Sequence, residues 1–195
     1  MSRRATRHDL VFADAPKWYA HVNMLQFARE ALDPWHLGTV STPVGPLAVA
    51  WAANVVVAAS FNGLPPILFG RALTSVAPPD WLAQLTSQAY GHGLADRPWT
   101  LLDPGLTALQ QAALAAAVRI PAGALASYGD VALASGRPRA ARAVGQAMSR
   151  SPADLLIPTH RVVRHNGQPA ACQQGGVGER LRQWEAEHAR WPPPS

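Results

Sequence analysis

Ser127-Tyr128-Gly129-Asp130-Val131-Ala132-Leu133-Ala134-Ser135-Gly136-Arg137-Pro138-Arg139-Ala140-Ala141-Arg142-Ala143-Val144-Gly145-Gln146-Ala147-Met148 is the stretch that decides the fold. Ser127 is an N-cap residue, whose hydroxyl takes up a free amide of the first turn, so a short helix runs from Tyr128 to Ala134. Gly136-Arg137-Pro138 breaks the chain into a turn, because glycine tolerates positive φ and proline has no amide to continue a helix. A second helix follows from Arg139 to Met148. Helix, tight glycine turn, helix is the helix-turn-helix plan, although many helical proteins share that spacing. The second helix alternates arginine with alanine and glycine. Small side chains let its backbone approach another surface, and the arginines supply anion contacts there; tight packing on a neighbouring helix is the plainer account.

Working outward, Leu106, Leu109, Ala113, Leu114 and Val118 recur at helical spacing until Pro121-Ala122-Gly123 stops the run. Asp103-Pro104-Gly105 is the domain boundary, since periodicity and charge both change there. Upstream the pattern is β-like: Leu37–Ser41, a turn at Pro43-Val44-Gly45-Pro46, Leu47–Ala52, and Val55–Phe61 after Ala53-Asn54. This predicts a small hairpin-containing sheet. Prolines 65, 66, 78 and 79 interrupt the next region, and Trp81 to Tyr90 reads as a helix with Asp80 as its N-cap. Residues 1–35 form an extension in which Trp18, Val22, Leu25, Phe27 and Leu32 line part of a helix face that ends at Asp33-Pro34. The expected organisation is an extension (1–35), a sheet domain (36–103) and a helical domain (104–195).

The chain has 195 residues, 48% hydrophobic and 15% charged, which excludes intrinsic disorder as its main state. Its net charge of +5 belongs wholly to residues 104–195, where ten arginines face five carboxylates. Such a surface suits a polyanion, because a guanidinium fork clamps phosphates while counterions are released. An arginine-rich solvated face is the alternative. One cysteine excludes an internal disulfide, and no cluster of metal ligands or cofactor motif is visible. The basic first residues are not followed by the apolar stretch of a secretory signal. Leu47 to Phe61 is shorter than the roughly 20 residues of a membrane helix. A cytoplasmic monomer without membrane contact is the expectation.

Ile120-Pro121-Ala122-Gly123, Ser127-Tyr128-Gly129-Asp130-Val131-Ala132, Gly136 to Gly145, Ile157-Pro158-Thr159-His160-Arg161-Val162-Val163 and Gly175-Gly176 resemble, in order and spacing, the O6-alkylguanine-DNA alkyltransferase family. The resemblance covers about residues 106–187. Thr39 to Leu47 is similar, more weakly, to that family's ribonuclease-H-like amino-terminal domain. The resemblance implies an α/β fold: that small sheet domain, followed by a helix-turn-helix (winged-helix-like) domain that enters the minor groove, flips the damaged guanine and transfers its alkyl group to a cysteine in a Pro-Cys-His-Arg segment. Here the segment is Pro158-Thr159-His160-Arg161. A thiol has a pKa of about 8.5 and is readily ionised beside a histidine. A threonine hydroxyl is far less acidic.

Alkyltransferase-like proteins have tryptophan or alanine at the acceptor position and bind alkylated DNA without repairing it, directing it to nucleotide excision repair. This sequence looks like such a sensor, not an enzyme, with threonine at the acceptor position and an added amino-terminal domain. By resemblance, Tyr128 rotates the target phosphate and touches the flipped base. Arg142 is the finger that fills the vacated stack, and Arg137, Arg139, Ala140, Ala143, Gly145 and Ser151 complete the DNA surface. Tyr128, Pro158, Thr159, Val162, Cys172, Gln173 and Gly175 line the lesion pocket. His160 and Glu187, the latter counted from Gly175-Gly176, form the former activating network, with Glu185 as the competing carboxylate. Arg161 holds the pocket through backbone or carboxylate contacts, or else meets DNA. The family's Asn-Pro pair is replaced by Ser151-Pro152, so another group must hold that loop. The rival functions are an alkyltransferase that uses Thr159 or Cys172 as acceptor and a winged-helix transcription regulator.

Overall fold

Two-residue turns at Pro43-Val44 and Ala53-Asn54 fold three strands, β2 (Trp35–Thr42), β3 (Gly45–Ala52) and β4 (Val55–Ser60), into an antiparallel meander. Ala53 carries the positive φ, 49°, that a tight hairpin needs. In the computed structural model, residues 25–31, 33–63, 68, 72–91, 94, 99–169 and 176–188 are described. Three further strands complete a six-stranded sheet of order β1-β6-β4-β3-β2-β5: β1 (Leu25–Ala28), β5 (Leu73–Ser75) and β6 (Trp99–Leu102). The expected sheet is therefore present but twice as wide as its hairpins.

The helix face expected around Leu25 and Phe27 is corrected by this pairing. Leu25 lies opposite Trp99 and Phe27 opposite Leu101 in a parallel ladder, so the segment is a strand. Four residues are too few to separate a period of 2.0 from one of 3.6, and the partner strand lies over seventy residues away in sequence. Residues 25–28 and Trp35 accordingly belong to the sheet and not to an extension ending at residue 35. The remainder of that proposed helix face, Trp18, Val22 and Leu32, lies outside the described residues.

Alternation along the strands separates two apolar faces. Val49, Trp51, Val56 and Leu101 join the main core, whereas Ala50, Ala52, Val57 and Leu102 pack with Trp35 and Leu68 on the other side. Helix α1 (Asp80–Gly91) adds Leu82, Leu85 and Ala89 to the main core. Its first helical residue is Asp80, since the amides of Leu82 and Ala83 bond back to the carbonyl of Pro79; the aspartate sits in the first turn and does not cap it.

Helix α2 (Ala108–Val118) starts at a reciprocal cap, in which Thr107 and Gln110 each take the other's backbone amide. Strand β7 (Ala126–Ser127) leads into α3 (Tyr128–Ala134), capped in the same way by Ser127 and Asp130. Helix α4 is shorter than expected, Ala141–Ser149. Arg139 adopts a φ of 80° and Gly136 one of 71°, so both belong to the turn and the helix cannot begin before Ala140. The last helix, α5 (Val177–His188), follows a short parallel pairing of β7 with β8 (Val162–Val163).

The sheet is hydrogen-bonded to the segment that follows α4. The amide of Ala59 bonds to the carbonyl of Pro152 at 3.0 Å, that of Asp154 to the carbonyl of Ala59 at 2.8 Å, and that of Phe61 to the Asp154 carboxylate at 3.3 Å. The end of β4 thereby fixes residues 151–157. Among the described residues, no helix is long and apolar enough to cross a membrane.

Gly38 in β2 tests how closely the chain packs beside the sheet. A Cβ there would stand 2.7 Å from the carbonyl oxygen of Val76 and 2.9 Å from Cγ of Pro78, while the Val76 amide is tied to Leu37 at 3.0 Å. Replacing Gly38 by alanine is expected to lower stability by about 1–3 kcal/mol through overpacking. Urea denaturation measures it, and an unchanged midpoint would show that the segment yields freely.

Candidate functional site

The chain Pro158-Thr159-His160-Arg161 forms a single 3-10 turn over Thr159–Arg161, delivered by the loop that β4 holds and continued directly into β8. Pairing of Ala126 with Val162 and of Ser127 with Val163 places the start of α3, and with it Tyr128, next to this turn. The sequence alternates in exposure here: Thr159 is half-buried while His160 and Arg161 point inward.

Arg161 is 1% exposed and Glu185, from α5, is 2% exposed. The guanidinium reaches Glu185 Oε1 at 2.7 Å through Nη2 and both carboxylate oxygens at 3.1 Å through Nε. Its remaining donors go to the carbonyls of Ile120 and Ala89, each at 2.7 Å. Glu185 also accepts from the Gly123 amide at 3.1 Å, and its Oε1 lies 2.9 Å from Nε2 of His160. Arg182 donates to the carbonyl of His160 at 3.1 Å.

Burial pushes the Glu185 carboxyl up, but the hydrogen bonds and charges of His160 and Arg161 outweigh it and bring its pKa down to about 2. The His160 pKa is lowered, chiefly by burial and further by the cations Arg161 and Arg182, against the pull of Glu185. A neutral imidazole is the result at neutral pH. Its Nε2–H then donates to the ionised Glu185, which leaves Nδ1 as the lone-pair nitrogen. With His160 neutral, the positive charge that keeps Glu185 ionised is that of Arg161.

This geometry corrects the carboxylate assignment. Glu185, not Glu187, meets His160; Glu187 is exposed. Two residues along a helix rotate the side chain by about 200°, so the two glutamates cannot share a face. The signal available in the sequence was Leu181, four residues before Glu185 and itself buried, which marks the inward stripe of α5. Arg161 takes the carboxylate-and-carbonyl role and is too buried for contact with DNA.

The helix-turn-helix side chains present another surface. Arg137, Arg139 and Arg142 are exposed, Ala140, Ala143 and Gly145 are half-buried, and the Gly145 backbone packs against the Tyr128 ring. Tyr128 is half-buried against the core. Ser151 contributes no hydroxyl bond to the loop: its Oγ is buried without a hydrogen-bond partner, and the loop is held by β4 instead.

A cavity of about 220 Å³ opens beside the turn. Thr159 and His160 form one wall; Phe61 and Asn62 from the end of β4, Asp154 and Leu155 from the loop, and Gly176, Val177, Gly178 and Leu181 from α5 and its approach form the others. Of the pocket residues expected from sequence that are described, Thr159 alone lines it. Pro158 and Val162 are buried, Tyr128 is half-buried near the turn without lining the cavity, and Cys172, Gln173 and Gly175 lie outside the described residues. Phe61 and Asp154 were missed. Asp154 was visible as the one carboxylate within the apolar run Ala153–Pro158. Among the described residues, no group of three His, Cys, Asp or Glu side chains is placed to hold a metal ion.

Residues 108–189 match the family described as 6-O-methylguanine DNA methyltransferase, DNA binding domain. The methylated-DNA--protein-cysteine methyltransferase of Mycobacterium leprae is 33% identical over 154 residues, covering 78% of this chain and 92% of that protein. Its namesake from Methanosarcina barkeri is 30% identical over 145 residues, covering 70% and 87%. The crystal structure of Mycobacterium tuberculosis OGT in complex with DNA is similar with a TM-score of 0.63 at 28% identity, covering 80% of this chain and 96% of that one.

Removing one partner of a buried pair leaves the other charge uncompensated, which costs about 3–5 kcal/mol. Arg161→Leu is therefore expected to lose about that much stability, read as a fall in the denaturation midpoint. A loss under about 1 kcal/mol, the size typical of exposed ion pairs, would show that Arg161 is not enclosed as the structure has it.

Proposed function

The chain belongs to the family of methylated-DNA--protein-cysteine methyltransferases, and from that premise we propose that it binds O6-alkylguanine in duplex DNA without repairing it, as a damage sensor. The observation that carries this reading is Thr159, between Pro158 and His160, where the family resemblance expects the acceptor thiol. Around it the supporting hydrogen bonds are intact: His160 donates to Glu185, and Arg161 fixes both. What is missing is an acidic nucleophile. His160 is a neutral imidazole whose basicity is lowered by burial, and such a base removes a proton from a thiol far more readily than from an aliphatic hydroxyl.

Binding is assigned to α3, the turn and α4. The exposed Arg137, Arg139 and Arg142 meet phosphates, and the half-buried Ala140, Ala143 and Gly145 let the helix backbone approach the groove. Arg142, in the first turn of α4, is the side chain that fills the space left by the flipped base. Double-stranded DNA is thus the primary partner, and excision-repair proteins are the proposed recipients of the marked lesion.

The relatives' name favours a second reading, transfer of the alkyl group to Thr159 or Cys172. Incubation with a duplex carrying a radiolabelled O6-methyl group separates the two. A sensor leaves the protein unlabelled and the lesion intact; one label per chain, with restored guanine, would make it an alkyltransferase.

Arg142→Ala is expected to weaken binding to the alkylated duplex by about 1–3 kcal/mol, or roughly five- to 150-fold, because the vacated stack is left unfilled. Fluorescence titration at fixed salt measures this. Affinity equal to that of the unsubstituted protein would rule out insertion of Arg142.

A further inference from the structure

The cavity beside Thr159 carries more than the proposed sensor needs for a methyl group. Its volume is about 220 Å³, whereas a water molecule, comparable in size to a methyl group, takes up about 30 Å³ of the liquid. Substituents of several heavy atoms therefore fit. An alkyl carbon placed at Thr159 stands at the edge of this space, whose lining mixes the apolar side chains of Phe61, Leu155, Val177 and Leu181 with the polar Asn62, Asp154, Thr159 and His160.

One wall is ionisable. Asp154 lines the cavity, and its carboxylate accepts a hydrogen bond from the Phe61 amide at 3.3 Å, with Ser60 as a side-chain partner. An ionised carboxylate offers about four lone-pair sites, so acceptor capacity remains for a ligand. The backbone of the residue is held as well, because the Asp154 amide bonds to Ala59 at 2.8 Å. Burial raises its pKa from the ordinary aspartate value, which marks a site where solvent screens charge poorly. His160, which also lines the cavity, is neutral and committed to Glu185, and provides no compensating cation.

We propose that Asp154 makes this cavity select the O6 substituents of guanine by charge, accepting extended groups that are neutral or carry hydrogen-bond donors and rejecting those that carry a carboxylate. This rests on the sensor reading of the same site. It identifies the adduct class as hydroxyalkyl and amide-bearing alkyl chains, and sets carboxyalkyl chains apart.

The test uses the full chain and three duplexes that differ only at one guanine: O6-(2-hydroxyethyl), O6-carbamoylmethyl and O6-carboxymethyl. The last two have nearly the same shape and differ in charge. Like-charge juxtaposition in a poorly screened site is unfavourable, so the carboxymethyl duplex is expected to bind at least about tenfold more weakly than the carbamoylmethyl one. In Asp154→Asn the ratio between these two is expected to shrink towards one. Equal binding of the two by the unsubstituted protein would overturn the proposal without any variant, and so would a ratio that survives in Asp154→Asn. Failure of all three duplexes to bind better than unmodified DNA would refute the sensor reading, and this selectivity with it.

Discussion

The pairing of Arg161 with Glu185 fixes the site. Five hydrogen bonds from one guanidinium reach the carbonyl of Ala89 near the end of α1, the carbonyl of Ile120 just beyond α2, and the carboxylate on α5. Three separate elements are thereby held at set distances from a single 3-10 turn. A buried ion pair is a weak source of net stability, since desolvating both charges offsets much of their attraction. Its value is geometric: the planar fork accepts few arrangements of its partners, so the residues on either side of Arg161 acquire one position. His160 follows from this. Burial, and then the neighbouring Arg161 cation, keep it neutral against the pull of the ionised glutamate, which orients it through Nε2.

That arrangement separates two roles that the family usually combines. A histidine aligned by a carboxylate is a general-base geometry, but the same bonds also satisfy buried polar groups that would otherwise cost stability. In the proposed sensor no base is needed at Thr159. Glu185 is still needed to compensate Arg161, and Arg161 to close the carbonyls of Ala89 and Ile120. An intact His160–Glu185–Arg161 cluster is therefore required by the fold whether or not chemistry occurs at residue 159. The cluster alone is no sign of transfer activity.

What the sequence disclosed follows the range of the interactions. The caps of α2 and α3 lie within three residues of their partners, and the turn at Gly136 depends on one residue's backbone freedom, so both were legible. The central hairpins were legible for the same reason. Strands β1, β5 and β6 were not, because each is four residues or fewer and pairs in parallel with a strand distant in sequence. The beginning of α4 was misplaced by the left-handed Arg139, an unusual conformation for a residue other than glycine. Counting from Gly175-Gly176 led to Glu187, since a count carries no helical phase; the inward stripe through Leu181 leads to Glu185. The cavity was the least visible feature, as its walls come from four separate stretches of chain.

The sheet domain gains a functional meaning from that last point. Phe61 and Asn62 close one side of the cavity, and the backbone of Ala59 grips Pro152 and Asp154 from either side. Ser151, whose hydroxyl finds no partner, adds no side-chain bond to this loop, which those backbone contacts and the buried Ala153, Leu155, Leu156 and Ile157 hold in place. The helical domain supplies the surface for DNA and the buried cluster, but the shape and polarity of the space beyond Thr159 are set jointly with β4. The proposed substituent preference is thus a property of the contact between the sheet and the helices. A helical domain without this sheet would lack the Phe61 amide that fixes Asp154 and the wall that keeps solvent from screening its charge.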